Sequence, residues 1–588
     1  MTRSAVLFLL SATMVCGQKY PSPVDVKLTR DGKRLYVVCQ GTDELVVVDT
    51  ASKAPIARVA VGRVPRGLTL SADEKRAYVT NSWADTVSEV DTTTLQVTRT
   101  LPAGFEPSGV IADARGEYLY VANRIGNDIS IVDLRTGQDV QRLAGGRGAS
   151  YMALSPDGGQ LYVSHIYPNI GKLRSVPVSE LTRIDTVHRI VESRLPLPNV
   201  AGVFHIALSA DGKLGLATIM RPKNLVPLAH VVHGMAFGNA LLLFGEDVGE
   251  PVELPLDNLE SHFSLPFGVV ISPDKTKAYV SASSTDEIAI LDIKRLLAAR
   301  HRDVNDLSAS GLYVMARIPV GRNPRALALS PDGSTLYVPN RLDDNISIVD
   351  TIRQKVTGTI ELGGPAEITA KRRGERLFYT AKFAFHSAFG CANCHLDSTF
   401  DGLAWDLEPD GFGIDIVDNR ALEGVSETGP YKWNGSNPDL ETECGPRTER
   451  FFFRSQGFSK TELADLVTYI KAIPLRPNRY RLPDGTLSES QERGKALFDV
   501  RCEICHSGKY HTNQQLADVG SGKPTDRSPL VDVPQLTNVA LTAPYLHDGS
   551  ARTLEEIWTV FNPKDTHGVT NDLTKDQLND LIEFLKTL

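Results

Sequence analysis

At 588 residues the chain is too long for one hydrophobic core, and two or three domains are expected. Its 63 Lys and Arg against 71 Asp and Glu leave a net charge of −8. That argues against a nucleic-acid partner, which would want a basic face.

The start, Met1-Thr-Arg3 followed by an apolar run from Ala5 to Val15, reads as a signal peptide over 1–17, with a mature start near Gln18. Cys16 could instead be lipidated, but Thr13-Met14-Val15 ahead of it fit a lipoprotein signal poorly. The apolar run is too short to span a bilayer and no later one is long enough, so a periplasmic or secreted protein is expected.

From 18 to 370 a repeat dominates. Its form is V-x-L-S-x-D-G-x-x-L-Y-V-x-N, then polar residues, then x-I-S-I-V-D and a stretch ending in Val-Gly. Its tyrosines fall at Tyr36, Tyr78, Tyr120 and Tyr162, each 42 residues after the last. Less regular copies follow around Ser209-Ala-Asp-Gly212 and Ser272-Pro-Asp274, and a clean one closes the series at Ser330-Pro-Asp-Gly333. Each unit holds four short alternating strands, with Asp-Gly as a tight hairpin turn because Gly accepts positive φ and Asp bonds its own backbone. Four strands per unit, repeated seven times, predict an all-β seven-bladed propeller. Tyr78-Val-Thr-Asn81 resembles the YVTN-type propeller repeat family, over about residues 20–365.

Long insertions are read in blades five and six, at roughly 166–200, 220–262 and 293–312. Five histidines gather in or beside them: His165, His205, His230, His233 and His262. A copper or zinc site at the channel mouth is one reading. Loop histidines exposed by the insertions are the other.

The last third carries Cys391-Ala-Asn-Cys394-His395 and Cys502-Glu-Ile-Cys505-His506. C-x-x-C-H is the attachment sequence of a c-type haem: two thiols bond the haem edge and the next histidine reaches the iron. One C-x-x-C reads equally as a redox pair or half a zinc site; two copies, each followed by His, behind an export signal, point to two covalent haems. Cys39 and Cys444 are left over and read as buried free thiols.

The strand pattern gives way to helices, and two halves align, 371–476 and 477–588. Each has a helix before the haem sequence (Gly374 to Phe378; Gly494 to Phe498), and then a turn, Thr428-Gly-Pro-Tyr-Lys-Trp-Asn-Gly-Ser436 or Thr542-Ala-Pro-Tyr-Leu-His-Asp-Gly-Ser550. Each ends in an amphipathic helix opened by a capping box, Ser459-Lys-Thr-Glu462 or Thr574-Lys-Asp-Gln577. The expected fold is therefore multidomain: the propeller, then an all-α cytochrome c unit duplicated.

These motifs, with Val533 to Glu556, resemble the bacterial di-haem cytochrome c peroxidase family, which includes the di-haem enzyme of methylamine utilisation. The resemblance covers about 375–588. It implies that one haem accepts electrons and the other reduces peroxide, with a tryptophan between them. By position that residue is Trp433, although Asn434 stands where the family usually has Asp, and a core aromatic is the competing reading. Calcium between the haem domains is common in the family, near the turn at Thr542, but no acidic loop here demands it.

His395 and His506 are the expected proximal ligands. No methionine follows Met315, so neither haem domain can supply a His/Met pair. His386 and His511 are poorly placed as ligands, and His547 lies in a turn that in the family lines the haem crevice. His567, on the loop before the last helix, is the expected second ligand of the second haem, making it a bis-histidine electron carrier. The first haem has no His or Met between Leu396 and Pro477; Tyr431 and Lys432 are unforced alternatives to an open iron. Glu423, Glu427, Glu443 and Glu449 are the carboxylates that could move a peroxide proton there. The reading is an exported oxidoreductase fed by a small cytochrome or cupredoxin. Two rivals are an electron carrier with both irons six-coordinate, and a propeller metal site using the haems as electron outlet.

Overall fold

A computed structural model of the protein describes residues 19–231, 236–407, 415–446, 448, 452–453 and 457–588. The expected signal peptide, His233 and Glu449 lie outside the described residues.

Seven four-stranded antiparallel sheets follow one another along the chain, over 23–60, 65–102, 107–144, 149–198, 202–255, 266–319 and 328–361. In each the strands pair in sequence order, as a propeller blade requires. The second and third strands, such as Arg34–Cys39 and Glu44–Asp49, are nearly continuous apolar runs because a neighbouring blade covers each face. The outer strand, such as Ala54–Ala60, alternates because one face meets water. Tyr36, Val38, Leu45 and Val47 of the first blade pack on Leu68, Ala77 and Val79 of the second.

The Asp-Gly turns form as expected. Gly32, Gly158, Gly212 and Gly333 have φ of 71° to 74°, as does Gly116 after Arg115 in the third blade, and Asp31 Oδ1 accepts the Lys33 N–H at 3.0 Å. Glu74 and Lys275 take the same left-handed position where the repeat lacks glycine.

A second repeated device joins blade to blade. An Asp or Asn between the second and third strands accepts the N–H that opens the next blade: Asp43 from Val64, Asp85 from Glu106, Asn127 from Gly148 and Asp286 from Asn323, at 2.8–2.9 Å. Asp344 accepts from Ser22 at 2.8 Å, so the ring closes through the bond that links its inner members. Asp344 also holds Arg372 of the following helix by two bonds of 2.9 Å, with that guanidinium only 3% exposed. Asp344→Ala would remove one of the two carboxylates on a buried guanidinium, leaving Glu375 at 2.9 Å, and break the ring-closing bond to Ser22; it is expected to cost about 1–3 kcal/mol in urea unfolding.

The insertions differ from expectation. Of 166–200, only 166–177 loops out, and it belongs to the fourth blade; Val178–Asp185 and Ile190–Pro198 are that blade's third and fourth strands. The fifth blade's insertion is likewise confined to the stretch between Gly215–Pro222 and Phe237–Phe244. The sequence reads these two strands as loop because the regular repeat lapses there: Pro177 stands just ahead of the third strand, and Pro196 and Pro198 fall in the fourth.

Beyond Glu361 the chain forms two similar lobes. Helix Ala370–Tyr379 crosses Lys460–Lys471, and Glu489–Arg501 crosses Lys575–Leu585. The crossings are built alike. A Cβ on Gly374 would lie 1.9 Å from the Asp465 carbonyl oxygen, and one on Gly494 1.9 Å from that of Asp580. Arg373 pairs with Asp465 and Arg493 with Asp580 beside them. Phe378 packs on Tyr469 at 5.3 Å between ring centres, and Phe498 on Phe584 at 5.2 Å. Both expected capping boxes form, and both Pro-Tyr turns contain a cis proline, Pro430 and Pro544. Each lobe also has one two-stranded antiparallel pair, so the region is helical with small β elements.

Both lobes sit on one face of the propeller. Lys382 pairs with Asp286 at 2.8 Å, and the linker's Arg479 with Asp85 at 2.7 Å. Two of the blade-linking aspartates thus also anchor the helical part, as Asp344 does.

Candidate haem centres

In the first lobe Cys391 and Cys394 open and close a single helical turn, and His395 follows at its end. The His395 Nδ1 lies 3.1 Å from the Thr399 carbonyl oxygen. A carbonyl can only accept, so Nδ1 carries the proton and Nε2 keeps a free lone pair. Burial holds the ring neutral, with its pKa lowered to about 4. The second lobe repeats this: the His506 Nδ1 lies 3.0 Å from the His511 carbonyl oxygen. His511, a poor ligand by position, serves through its backbone.

A redox pair needs a lowered thiol pKa, and burial acts on Cys391 and Cys502 in the opposite direction. Burial pushes Cys391 up to about 12 and Cys502 up to about 11, and no disulfide joins either pair. Neither Cys39, which is buried, nor Cys444, which is half-buried, is in a disulfide.

The structure brings His567 to His506. Their ring centres are 6.4 Å apart, with 36° between the planes. Two imidazoles binding one metal from opposite sides, with bonds of about 2 Å, put their ring centres roughly 6.3 Å apart. Burial and His506 lower the His567 pKa to about 4, and its Nδ1 is buried without a hydrogen-bond partner. These residues fit a haem. Around His395 the ring contact is Phe378, at 6.5 Å, and no second imidazole is paired with it among the described residues.

Trp433 lies where the lobes meet. Its indole N–H donates to the Asp418 carbonyl at 2.8 Å, and its own carbonyl accepts from Asp532 of the second lobe at 2.7 Å. The Arg420 guanidinium sits over its ring at 3.9 Å, and His547 lies 6.5 Å from it. His547 has spent both ring nitrogens, on Ser521 at 3.1 Å and Asp526 at 3.0 Å.

Several expected candidates are committed elsewhere. Glu423 is bound to Arg476, Glu443 accepts from Asn437, and Glu427 is exposed, 3.8 Å from Lys509. Tyr431 donates its hydroxyl to the Val425 carbonyl at 3.0 Å. In the turn at Thr542, the Ala543 carbonyl accepts from Arg147 of the propeller, so a fixed cation already stands beside it. Among the described residues no group of three or more His, Cys, Asp or Glu is arranged to hold a metal ion.

Of the five candidate propeller histidines, the four described form no metal-binding group with other ligand residues. His165 Nε2 meets Thr182 Oγ1 at 2.9 Å, the bond that Asn81, Asn123 and Asn340 make to a serine in other blades. His205 packs on Tyr151, His262 lies 3.3 Å from Asp257, and His230 is exposed. His165 is a repeat position filled by a larger residue.

Sequence reasoning missed the propeller's part in the first centre. Leu228, Val231, Ala236 and Phe237 of the fifth blade's insertion share one core with Phe389, Leu396 and Trp405 of the first lobe. Arg66, Arg124 and Arg325 reach Asp397, two residues after His395. The available signal was Val64-Pro-Arg66 and Asn323-Pro-Arg325, where other blades place Ser108, Ser150 or Phe267.

Comparison with known proteins agrees with this division. A YNCE-like beta-propeller model matches residues 8–190, and a cytochrome c model matches 491–588. The hydrazine synthase subunit gamma of Kuenenia stuttgartiensis is 30% identical, over 37% of this chain and 77% of that subunit. The chain belongs to the hydrazine synthase gamma-subunit family. Subunit beta of the same organism is 27% identical over 28% of this chain, and cytochrome c peroxidase Ccp of Escherichia coli K12 is 25% identical over 35% of it. The chain spans 44% and 47% of the length of those two relatives. This is a haem c protein of the redox-enzyme kind, with a propeller ahead of its cytochrome part. No helix among the described residues is long and apolar enough to cross a membrane.

Proposed function

We propose that the protein is an exported di-haem oxidoreductase. One haem is bonded by Cys391 and Cys394 with His395 as its ligand. The other is bonded by Cys502 and Cys505 with His506 and His567 as its two ligands. The observation that carries this is the asymmetry: His506 faces a second imidazole at 6.4 Å, while His395 has no such partner among the described residues. Haem bound in these sites supplies one-electron chemistry and, where one face lacks a protein ligand, a place for a small oxidant.

The chain's own residues do the rest. The Thr399 and His511 carbonyls orient the two proximal imidazoles, and His567 closes the second site. Electrons enter the second lobe from a small cytochrome or cupredoxin and pass to the first, where peroxide is reduced. A second reading has a specific basis. The propeller and the cytochrome part stand in one chain whose relatives include two separate hydrazine synthase subunits, beta and gamma. On that reading the substrate is a small nitrogen compound.

The test is the electronic spectrum of the oxidised holoprotein with a pyridine haemochrome assay. Two haems per chain are expected, one low-spin and one high-spin, and the double substitution Cys391→Ser/Cys394→Ser is expected to remove only the high-spin one. Two purely low-spin haems would leave an electron carrier. Peroxide turnover, measured beside turnover of hydroxylamine, separates the two substrates.

Trp433 is read as a bridge between the lobes rather than a residue that is itself oxidised. A positive charge on its ring would sit 3.9 Å from the Arg420 guanidinium, a repulsion of about 4 kcal/mol at an effective dielectric of 20. Asp532, 2.7 Å from Arg420, offsets part of that. Trp433→Phe is therefore expected to keep the inter-haem rate within about tenfold by flash photolysis, a factor of ten being worth about 1.4 kcal/mol.

A further inference from the structure

The loop behind His395 is held by the propeller. Asp397 accepts from Arg66 at 2.8 Å, Arg124 at 2.7 Å and Arg325 at 3.0 Å, side chains that come from the second, third and seventh blades. Arg124 also donates to the Tyr167 hydroxyl at 2.6 Å, and Tyr167 meets Thr399 Oγ1 at 3.2 Å. With Ser108, Ser150 and Phe267, the first two and Arg325 line a cavity at the propeller's axis, and Asp397 enters it from the cytochrome side.

What this clamp holds is a strained turn. Asp397 and Ser398 are consecutive non-glycine residues at φ 49° and 66°, and such a pair persists only where its surroundings impose it. Those two residues bring the Thr399 carbonyl back to the His395 Nδ1. The second lobe makes the same bond without help. Its loop is one residue longer, from His506 to His511; it has Gly508 and a single non-glycine residue, His511, at positive φ (73° and 54°) instead of two non-glycine residues in succession; and it makes no ion pair with the propeller among the described residues. The difference is specific to the first lobe.

We infer that the propeller tunes the first haem, with Arg66, Arg124, Arg325 and Asp397 as positioning residues that act on His395 through the Thr399 carbonyl and through their net charge. Three guanidiniums meet one carboxylate behind the proximal ligand, and Glu106 is the further acid that acts on Arg124, so positive charge is in excess there. Positive charge near an iron favours its reduced form, and a firm bond from Nδ1 to a carbonyl makes the imidazole a stronger donor. The inference rests on the proposed haem at Cys391 and Cys394.

The experiment is spectroelectrochemical titration of the full-length holoprotein, with covalent haem at each site checked by peptide mapping. Arg66→Gln removes a positive charge and is expected to lower the first haem's potential. Asp397→Asn removes a negative one, loosens the turn, and is expected to raise it. Arg66→Lys should restore the parent value, and the second haem should not move in any variant. The Fe–His stretching frequency of the reduced first haem should fall in Asp397→Asn. Merely structural damage would move both variants in the same direction, and that result, or no shift, overturns the inference while leaving the di-haem reading intact. Absence of haem at Cys391 and Cys394 overturns both.

Discussion

Replacing His567 by glycine is expected to convert the second haem from low-spin to high-spin, removing essentially all of the low-spin absorbance of the oxidised protein. The loop that presents His567 is fixed independently of that side chain. Asn562 accepts the His567 N–H at 2.8 Å and donates to the Gly568 carbonyl at 2.8 Å and Thr570 Oγ1 at 3.0 Å. Asp565 accepts the N–H groups of Thr570 and Asn571 at 2.7 and 3.0 Å. The loop should therefore stay in place and leave a cavity the size of an imidazole. Added free imidazole is expected to enter it and restore the low-spin spectrum, whereas a surface histidine would give no spectral change and no rescue. Because the His567 pKa is lowered to about 4, its lone pair is available across the neutral range, and the parent low-spin spectrum should be constant from about pH 6 to 8. Electron delivery to the first lobe should fall with the substitution, since a haem that changes its ligation on reduction must reorganise.

The fold was largely legible in the chain, for a physical reason. Blades are local units of four sequential strands, and the signals that make them are local too: Asp-Gly turns, apolar middle strands and an alternating outer one. The cytochrome lobes carry equally local marks in C-x-x-C-H, the capping boxes and the Pro-Tyr turns. What stayed hidden was every contact between distant segments. Nothing adjacent to Asp397 announces three arginines that stand 331, 273 and 72 residues earlier. The carboxylates near the first centre were ranked equal for the same reason, since only their partners distinguish them. The fourth blade's outer strands read as insertion because a loop splits the repeat ahead of them and prolines fall in the last one. His165 looked like a ligand because it breaks the repeat, yet its contact with Thr182 shows it doing the repeat's usual work.

Glu423→Ala is the second large effect, and it is expected in stability rather than catalysis. Glu423 was one of four carboxylates that might have served the first iron. In the structure it is the buried counter-ion of Arg476, with side chains 4% and 5% exposed and bonds of 2.9 Å from Nε to both carboxylate oxygens and 2.5 Å from Nη2. The backbone N–H of Arg476 adds a fourth bond, at 3.1 Å. The pair ties the first lobe to the linker, and Gln535 of the second lobe reaches the Glu423 carbonyl at 2.7 Å. Removing Glu423 leaves a guanidinium out of solvent with only the more distant Glu106 as counter-charge, which costs about 3 kcal/mol, and the urea midpoint should drop accordingly. Glu423→Gln keeps the shape and part of the hydrogen bonding, so its loss should be smaller. The double variant Glu423→Leu/Arg476→Met removes both charges and is expected to recover most of the stability lost by Glu423→Ala. Through all three, turnover per folded molecule should keep its pH dependence. A carboxylate whose two oxygens are both held by Arg476 is not free to meet a peroxide, and a shifted pH profile in Glu423→Gln would return it to the catalytic candidates.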